Sequence, residues 1–378
     1  MTQVQRPALI AAVAGLALFS VGAIFDLSAA FRAYLVAWNL WLGVALGGMA
    51  VLLLQYLTGG AWGFVIRRIT EAMSRTLPLL AVLFLPLLLG LARLYPWVES
   101  HDPALAEKQR YYLNVPFFLI RAAVYFAAWL ATMMLLNLWS PARVEGVEPR
   151  RLRQLGAFGL LLYGLGVTFG SVDWVMSLEP KWYSSIFGVM FGVGQLLSAF
   201  AFAVLMLAVL ADRPPLAGYL NAEHFRALGG LLLAFVMLWA YMNLSQFLLI
   251  WSGNLPEEIP WYVRRGQGGW QVVAVVLVLF QFALPFVLLL SADVKKGRWS
   301  LAGVAGLVLL MRWLDLAWLI LPARDDPAAP GAASHLLDGA LSFAAAVGIG
   351  GLWLLIFAWQ LGRRELLPAG GPPLQGVP

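Results

Sequence analysis

The sequence predicts an all-α integral membrane protein with ten transmembrane helices. Hydrophobic residues make up 62% of its 378 residues and charged residues only 12%, and the mean hydropathy is +0.82. Soluble domains are about half apolar and about a quarter charged, so this chain has too few charges to cover a water-facing surface. No series of segments alternates apolar and polar residues with period two, which argues against a β-barrel.

Ten apolar runs reach the length of roughly 20 residues that a helix needs to cross the hydrocarbon core. The first run follows a single arginine and lacks a small-residue cleavage site, so we expect a retained helix and not a signal peptide. In order along the chain, the predicted helices cover residues 7–25, 31–57, 76–96, 113–139, 155–178, 185–211, 228–252, 270–292, 300–321 and 337–361.

The connections between these helices predict the orientation. The N-terminus, the C-terminus and connections 58–75, 140–154, 212–227 and 293–299 together hold 15 Lys and Arg residues. The other connections hold 7, including Arg32 at the edge of the second helix. Since positive residues accumulate in cytoplasmic loops, both termini are predicted to be cytoplasmic.

No change of composition divides the chain into domains. Every connection has fewer than 20 residues, too few for an independent fold. We therefore expect a single ten-helix transmembrane domain over residues 1–364. The remainder, residues 365–378, is rich in Pro and Gly and is predicted to be a disordered cytoplasmic tail.

The sequence lacks the residues that several kinds of cofactor site require. Cysteine is absent, which excludes disulfides, cysteine-bound iron–sulfur clusters and covalently attached haem c. The three histidines, His101, His224 and His335, fall in predicted loops, so none is expected at membrane depth as a haem ligand. The net charge of +6 lies in short loops, a pattern of membrane topology and not of nucleic-acid binding. We expect this chain to bind no metal and no nucleic acid, and to contact membrane lipid.

Charged residues inside the predicted helices are the most informative positive signal. They are Arg93, Arg121, Asp173, Arg312 and Asp315. Each costs roughly 2.5–3.5 kcal/mol on insertion scales unless it is paired. Arg93 lies near a helix end and is expected to reach the headgroups. Arg121 and Asp173 lie at similar depths and are predicted to pair, and Arg312 and Asp315, three residues apart, share one helix face.

These two pairs have two interpretations, which the sequence leaves open. They fix the order of helices in a bundle, or they line a proton route or quinol pocket that opens on the outer side. Tyr163 is a further candidate for proton transfer, because it is a hydroxyl in the cytoplasmic half of the same helix as Asp173. The default interpretation of the connection 254–265 is a solvated turn. The alternative is a docking surface for an extracytoplasmic partner, with four candidate residues: Glu257, Glu258, Arg264 and Arg265.

Several strings in the sequence resemble the F subunit of bacterial alternative complex III, a quinol-oxidising membrane complex related to the polysulfide-reductase (NrfD-like) anchors. The likeness covers about residues 30–320 in a single order. The strings are LTGGAWG (57–63), RRITEAMSRTLPLLAVLFLP (67–86), YYLNVPFFLIR (111–121), TFGSVDWVMSLEPKWYSSIFG (168–188), FVMLWAYMNLSQFLLIWSGNLPEEIPWY (235–262) and GGW (268–270).

The resemblance implies two antiparallel four-helix bundles, helices 2–5 and 6–9, with helices 1 and 10 at their flanks. It implies a bacterial cytoplasmic membrane and partners comprising a paralogous ten-helix subunit, a multihaem cytochrome c and an iron–sulfur subunit. Haem c and iron–sulfur clusters would then lie in those partners, with quinol or menaquinol as the small-molecule substrate. The F subunit would contribute a proton pathway. Gln281 stands where a His is expected in relatives.

Two alternatives follow from other readings of the residues. In the first, the chain is an autonomous quinol-binding anchor paired with an iron–sulfur protein, with a pocket formed by Tyr125, Trp129 and Trp174. In the second, it is a secondary transporter, which requires a matching pair of broken helices. The intramembrane prolines do not form such a pair, which disfavours the transporter.

Overall fold

The computed structural model describes residues 2–139, 149–324 and 332–367. Over these residues the chain is helical and contains no strand. Ten helices in the described ranges are long and apolar enough to cross a membrane, which confirms the predicted fold class. They are numbered here as spans 1 to 10: Gln5–Phe25, Leu27–Thr58, Trp62–Leu89, Val115–Leu138, Arg150–Leu178, Phe187–Leu210, Ala222–Gly253, Trp270–Leu290, Arg298–Ala323 and Leu336–Gly362.

Polar residues begin several spans at the places where the apolar runs start. The Asp26 carboxylate accepts the backbone N–H of Ala29 at 2.9 Å and begins span 2. Asn114 accepts the N–H of Phe117 at 3.0 Å and begins span 4. These side chains satisfy backbone donors that have no partner inside the helix. Short α-helices also lie between spans, at Leu91–Leu94, Ala106–Tyr111, Ile259–Arg265 and Ala292–Lys296.

The third span begins earlier than its sequence suggests. The prediction placed this helix at 76–96 and assigned 58–75 to a loop, because RRITEAMSR is rich in charge. The structure instead has a helix at Ala61–Ser74, followed by shorter helices at Leu77–Val82, Leu85–Leu89 and Leu91–Leu94. The prediction was wrong here because the charges of this segment are buried in ion pairs with one another and with span 10.

Prolines interrupt the helix of span 3, and side chains of span 2 donate hydrogen bonds to carbonyls in the interrupted region. Pro78 and Pro86 lie at the starts of two of the short helices, and proline cannot donate a backbone hydrogen bond. Two carbonyls in this region accept side-chain donors from span 2. The indole of Trp38 donates to the carbonyl of Leu80 at 2.9 Å, and the hydroxyl of Tyr34 donates to that of Leu83 at 2.8 Å.

Spans 2 and 6 form the centre of the molecule. They are the most buried of the ten spans, and they pack closely because Gly47 has no side chain. A Cβ at position 47 would lie 2.3 Å from the carbonyl oxygen of Gln195 on span 6, closer than real Cβ contacts allow. Span 1 packs against span 10 in the same way, through Gly15 and Gly348.

Span 2 also packs against span 10, and span 6 packs against span 5. Span 2 contacts spans 3 and 5, span 4 contacts span 5, span 6 contacts spans 7 and 9, and span 8 contacts spans 7 and 9. The division into two antiparallel four-helix bundles remains a prediction. So does the tail at 365–378, most of which (368–378) lies outside the described residues.

Candidate functional site

Arg121 on span 4 and Asp173 on span 5 form a buried, two-point ion pair. The guanidinium donates from Nε to Oδ2 and from Nη2 to Oδ1 of Asp173, each at 2.8 Å. Both residues are buried. Planar, bidentate pairing of this kind is the strongest geometry that Arg and a carboxylate can adopt. The predicted partnership between these two side chains is therefore confirmed, whereas a role in proton transfer remains a prediction.

Tyrosines and aromatic rings enclose this first pair. The hydroxyl of Tyr125 donates to Oδ2 of Asp173 at 2.8 Å, so each carboxylate oxygen accepts at least one bond. The guanidinium lies over the rings of Tyr112 and Phe117, 3.9 and 4.3 Å from their centroids. Burial and the charge of Asp173 raise the pKa of the Tyr112 phenol, so this tyrosine stays neutral.

The aromatic residues that the sequence offered as a quinol pocket surround the same carboxylate, but they pack against one another. The ring of Trp174 lies 5.9 Å from that of Tyr125 and 6.0 Å from that of Trp129, measured between centroids. All three side chains are buried. The space between them is filled by their own rings, so a quinol ring does not fit between these three without displacing one of them.

The second pair, Arg312 and Asp315, lies within span 9. The guanidinium donates to Oδ2 of the carboxylate three residues later, as the sequence predicted. Trp239 on span 7 also donates to Oδ2, at 3.2 Å. Ser198 on span 6 accepts from Nε of Arg312 at 3.3 Å. Asp315 lies eight residues before the end of its span, about 12 Å along the helix.

A glycine makes room for this arginine. A Cβ at position 194 would lie 2.2 Å from a nitrogen of the Arg312 guanidinium. Glycine at this point of span 6 therefore lets the cation approach the backbone. Sequence reasoning did not identify Gly194, Ser198 or Trp239 as parts of the site, because no local pattern connects them to a residue about 70 to 120 positions later.

Next to the second pair is a large groove between spans 7, 8 and 9, with a volume of about 740 Å³. Its walls are mostly apolar or aromatic, and the carboxylate of Asp315 is among its lining groups. The full set of lining residues is Met237, Trp239, Ala240, Tyr241, Asn243, Leu244, Phe247, Tyr262, Arg265, Gly266, Gln271, Ala274, Leu277, Val278, Phe282, Asp315 and Trp318. A smaller space of about 10 Å³, lined by both Arg312 and Asp315, has room for about one water.

Arg265 lies at the end of this groove nearest the connection between spans 7 and 8, and it corrects one prediction. The side chain was predicted to lie on a solvent-facing docking surface together with Glu257, Glu258 and Arg264. Its guanidinium is instead buried, donating to Glu179 at 2.9 Å and to the carbonyls of Trp318, Trp261 and Leu319. Burial lowers the pKa of Arg265, and Glu179 opposes that shift.

The other docking candidates differ among themselves. Arg264 also donates to Glu179 and is partly exposed, Glu258 is half-buried, and Glu257 is exposed. A buried arginine cannot be part of a docking surface, since its donors are already used inside the chain. Docking remains a prediction for the three other residues.

Tyr163 touches neither ion pair. Its hydroxyl lies 3.3 Å from the carbonyl of Gly192 and 3.2 Å from the side-chain oxygen of Gln195. Tyr163 is ten residues before Asp173 on the same helix, about 15 Å away along the axis. It therefore faces the interface of spans 5 and 6, and no chain of direct hydrogen bonds in the described residues joins it to Asp173.

A charged cluster that the sequence assigned to a loop lies at the opposite end of the molecule. The Glu71 carboxylate accepts from Arg67 at 3.2 Å, Arg68 at 2.7 Å, Arg75 at 3.3 Å and Arg364 at 3.0 Å. Because Arg364 follows span 10, this cluster connects span 3 to the end of the last span. A second unrecognised pair joins span 2 to span 10, where Arg32 lies 3.9 Å from Asp338.

His101, His224 and Gln281 lie outside both ion pairs, and His224 is not in a loop as predicted. His224 lies in the first turn of span 7, where Asn221 and His224 form a reciprocal cap. His101 is in the connection after span 3, as predicted. Gln281 is fully buried in a π-helical turn, Val278–Ala283, and neither polar atom of its side chain has a hydrogen-bond partner among the residues that the structure describes. Turns of this type are frequent at functional sites.

Comparison with known proteins adds no identification. The sequence matches no protein-family model and no curated protein. The site therefore has to be interpreted from its own geometry and from the motifs in the sequence.

Proposed function

We propose that this chain is a membrane subunit of a quinol-oxidising respiratory complex of the alternative complex III type, and that it carries protons and no metal cofactor. In this proposal Asp315, paired with Arg312, is the group that accepts and releases the proton. The paralogous ten-helix subunit, the multihaem cytochrome c and the iron–sulfur subunit would perform the electron transfer. The chain would then be a subunit of an enzyme without being its redox centre.

The observation that carries this proposal is the environment of Asp315. The carboxylate is buried at membrane depth, paired to a cation, and in contact with both a water-sized space and a groove. Ionisable groups at membrane depth are costly, and they commonly mark proton or ion pathways. Asp315 also keeps an acceptor available, since its described hydrogen bonds all end on Oδ2.

The orientation is part of the same proposal. With both termini in the cytoplasm of a bacterium, the groove and both ion pairs lie in the outer half of the membrane, and the Glu71 cluster lies at the cytoplasmic end. An arginine-rich cytoplasmic end agrees with the positive-inside rule. A phosphatase reporter fused after Pro378 is expected to be inactive, and an active periplasmic fusion would reverse the orientation.

The test of function compares two Asp→Asn variants in the complex purified through a tag on this chain. Asp315→Asn removes the titrating group, and Asp293→Asn alters an exposed carboxylate outside the spans. After reconstitution into vesicles, the rate of proton release during quinol oxidation should fall at least about tenfold in Asp315→Asn, in the range expected for loss of a positioned acid–base group. Asp293→Asn should match the unaltered complex.

Three results would contradict the proposal. The first is normal proton release in an Asp315→Asn complex that assembles in normal yield. The second is the absence of a multihaem cytochrome, an iron–sulfur protein and a paralogous ten-helix chain from the purified complex. The third is a stoichiometric haem spectrum from this chain after it has been separated from the others.

A further inference from the structure

We infer that the groove between spans 7, 8 and 9 is a binding site for a quinol, with the aromatic head beside Asp315 and the isoprenoid tail leaving toward lipid. This inference deepens the proposed function and rests on it, because it names the small molecule that meets the titrating carboxylate. It differs from the pocket expected at Tyr125, Trp129 and Trp174, which lies around the other ion pair.

The size and the opening of the groove fit a ligand that arrives from the membrane. A volume of about 740 Å³ is within the range of small-molecule sites, about 300–1,000 Å³. Several of its lining side chains are exposed on the outer surface of the helices, among them Leu244, Phe247 and Val278. At membrane depth this surface faces the hydrocarbon, so the groove is open to lipid on one side.

The chemistry of the walls selects the class of ligand. The aromatic rings of Trp239, Phe247 and Trp318 present flat apolar faces suited to a planar ring. The Oδ1 atom of Asp315 accepts no hydrogen bond from the described residues, so it is available to a hydroxyl donor. A quinol ring satisfies both demands.

A phospholipid fits the groove less well than a quinol. Its phosphate offers only acceptors and carries a negative charge, which the Asp315 carboxylate repels. The nearest cation on the groove wall, Arg265, already donates to Glu179 and to three backbone carbonyls. The groove therefore lacks a cationic donor that would hold a phosphate.

The polar and apolar parts of the groove are arranged along the membrane normal. Tyr262, Gly266 and Gln271 lie at its outer end, and Leu277, Val278 and Phe282 continue toward the middle of span 8. A ligand with a polar head and an apolar tail would therefore lie with its head near the outer interface. In that position its hydroxyl reaches Asp315 at about 12 Å from the end of span 9.

The test uses a short-chain azidoquinone, reduced to its quinol beforehand, that crosslinks on illumination, followed by peptide mapping of the full chain in detergent. Val278→Trp places a bulky ring in the groove. Val275→Trp, three residues away on the same span, adds an identical ring to an exposed position outside the groove. We expect labelling of spans 7 and 8, reduced about tenfold by Val278→Trp and less than about twofold by Val275→Trp. Excess unlabelled quinol should compete.

Several outcomes would overturn the inference. They are label confined to other spans, equal labelling of the two tryptophan variants, or competition by phosphatidylglycerol as strong as that by quinol. If Val278→Trp does not fold, Ala274→Leu fills the same groove with a smaller side chain and is judged by the same criteria. Crosslinking does not require turnover, so it tests the binding site independently of proton transfer. If the groove of the unaltered chain is labelled but Asp315→Asn releases protons normally, the proton role is refuted and the binding site is not.

Discussion

The two buried ion pairs have the same composition and similar depth, but their surroundings differ. Arg121 and Asp173 join two spans, and both carboxylate oxygens accept bonds from side chains. Arg312 and Asp315 belong to one helix, and among the described residues only Oδ2 of that carboxylate accepts hydrogen bonds. Packed aromatic rings cover the first pair, whereas the second borders a groove.

The difference teaches how a structural ion pair is distinguished from a functional one. A carboxylate whose acceptor sites are all occupied and whose neighbours leave no space holds helices together. A carboxylate with an unused oxygen beside a cavity can exchange a proton or bind a donor. We therefore propose that the first pair stabilises helix association and that the second has the functional role, and the following predictions test that division.

The largest effect is expected from Asp173→Asn. The change leaves the Arg121 cation buried without a counter-charge, and removing one partner of a buried pair costs about 3–5 kcal/mol. The yield of folded chain after heating in detergent, measured by size-exclusion chromatography, should fall sharply.

The double variant Arg121→Met with Asp173→Leu separates structure from proton transfer. Apolar residues of similar size remove both charges, so assembly should recover. Proton release by the reconstituted complex should then equal that of the unaltered complex. Slow release from a well-assembled double variant would mean that Asp173 also carries protons, and the contrast between the two pairs would fail.

A smaller effect is expected at the end of the groove where Arg265 lies. Arg265→Lys replaces five fixed donors with a point charge that cannot reach Glu179 and three carbonyls together. The carbonyls left without a donor should lower the stability of the chain by about 2–3 kcal/mol.

Arg264→Lys is the matched control, because Arg264 precedes Arg265, is partly exposed and, among the described residues, forms an ion pair with Glu179 alone. Its cost should stay below about 1 kcal/mol. Thermal midpoints in detergent measure both variants. Equal midpoints would mean that the buried hydrogen bonds of Arg265 contribute little to the groove wall.

The sequence predicted the fold because apolar runs of membrane length leave few alternatives. It also predicted both ion pairs: a charge inside a span needs a partner, and depth along a helix follows from counting residues. It failed at span 3, where charge density indicated a loop. The four arginines around Glu71 make that segment compatible with burial, and one of them, Arg364, is almost 300 residues away.

The distinction between the two pairs could not be predicted from the sequence. It depends on which side chains of other spans face each carboxylate: Tyr125 for Asp173, Trp239 for Asp315. It depends also on the divergence of spans 7 and 8, which creates the groove. Neither property has a local pattern, because both arise from helix packing.

The smallest effect concerns the uncharged hydrogen-bond donor of each carboxylate, Tyr125 for Asp173 and Trp239 for Asp315. Tyr125→Phe removes a 2.8 Å hydrogen bond to Asp173, and Trp239→Phe removes a 3.2 Å bond to Asp315. Both changes keep an aromatic ring and leave the charges intact. Each should cost about 1 kcal/mol of stability, visible as a small decrease of the thermal midpoint. Their effects on function should differ: Tyr125→Phe should leave proton release unchanged, whereas Trp239→Phe alters a donor to the titrating carboxylate and should change the pH dependence of release. Identical pH profiles for the two variants would remove the distinction between the pairs.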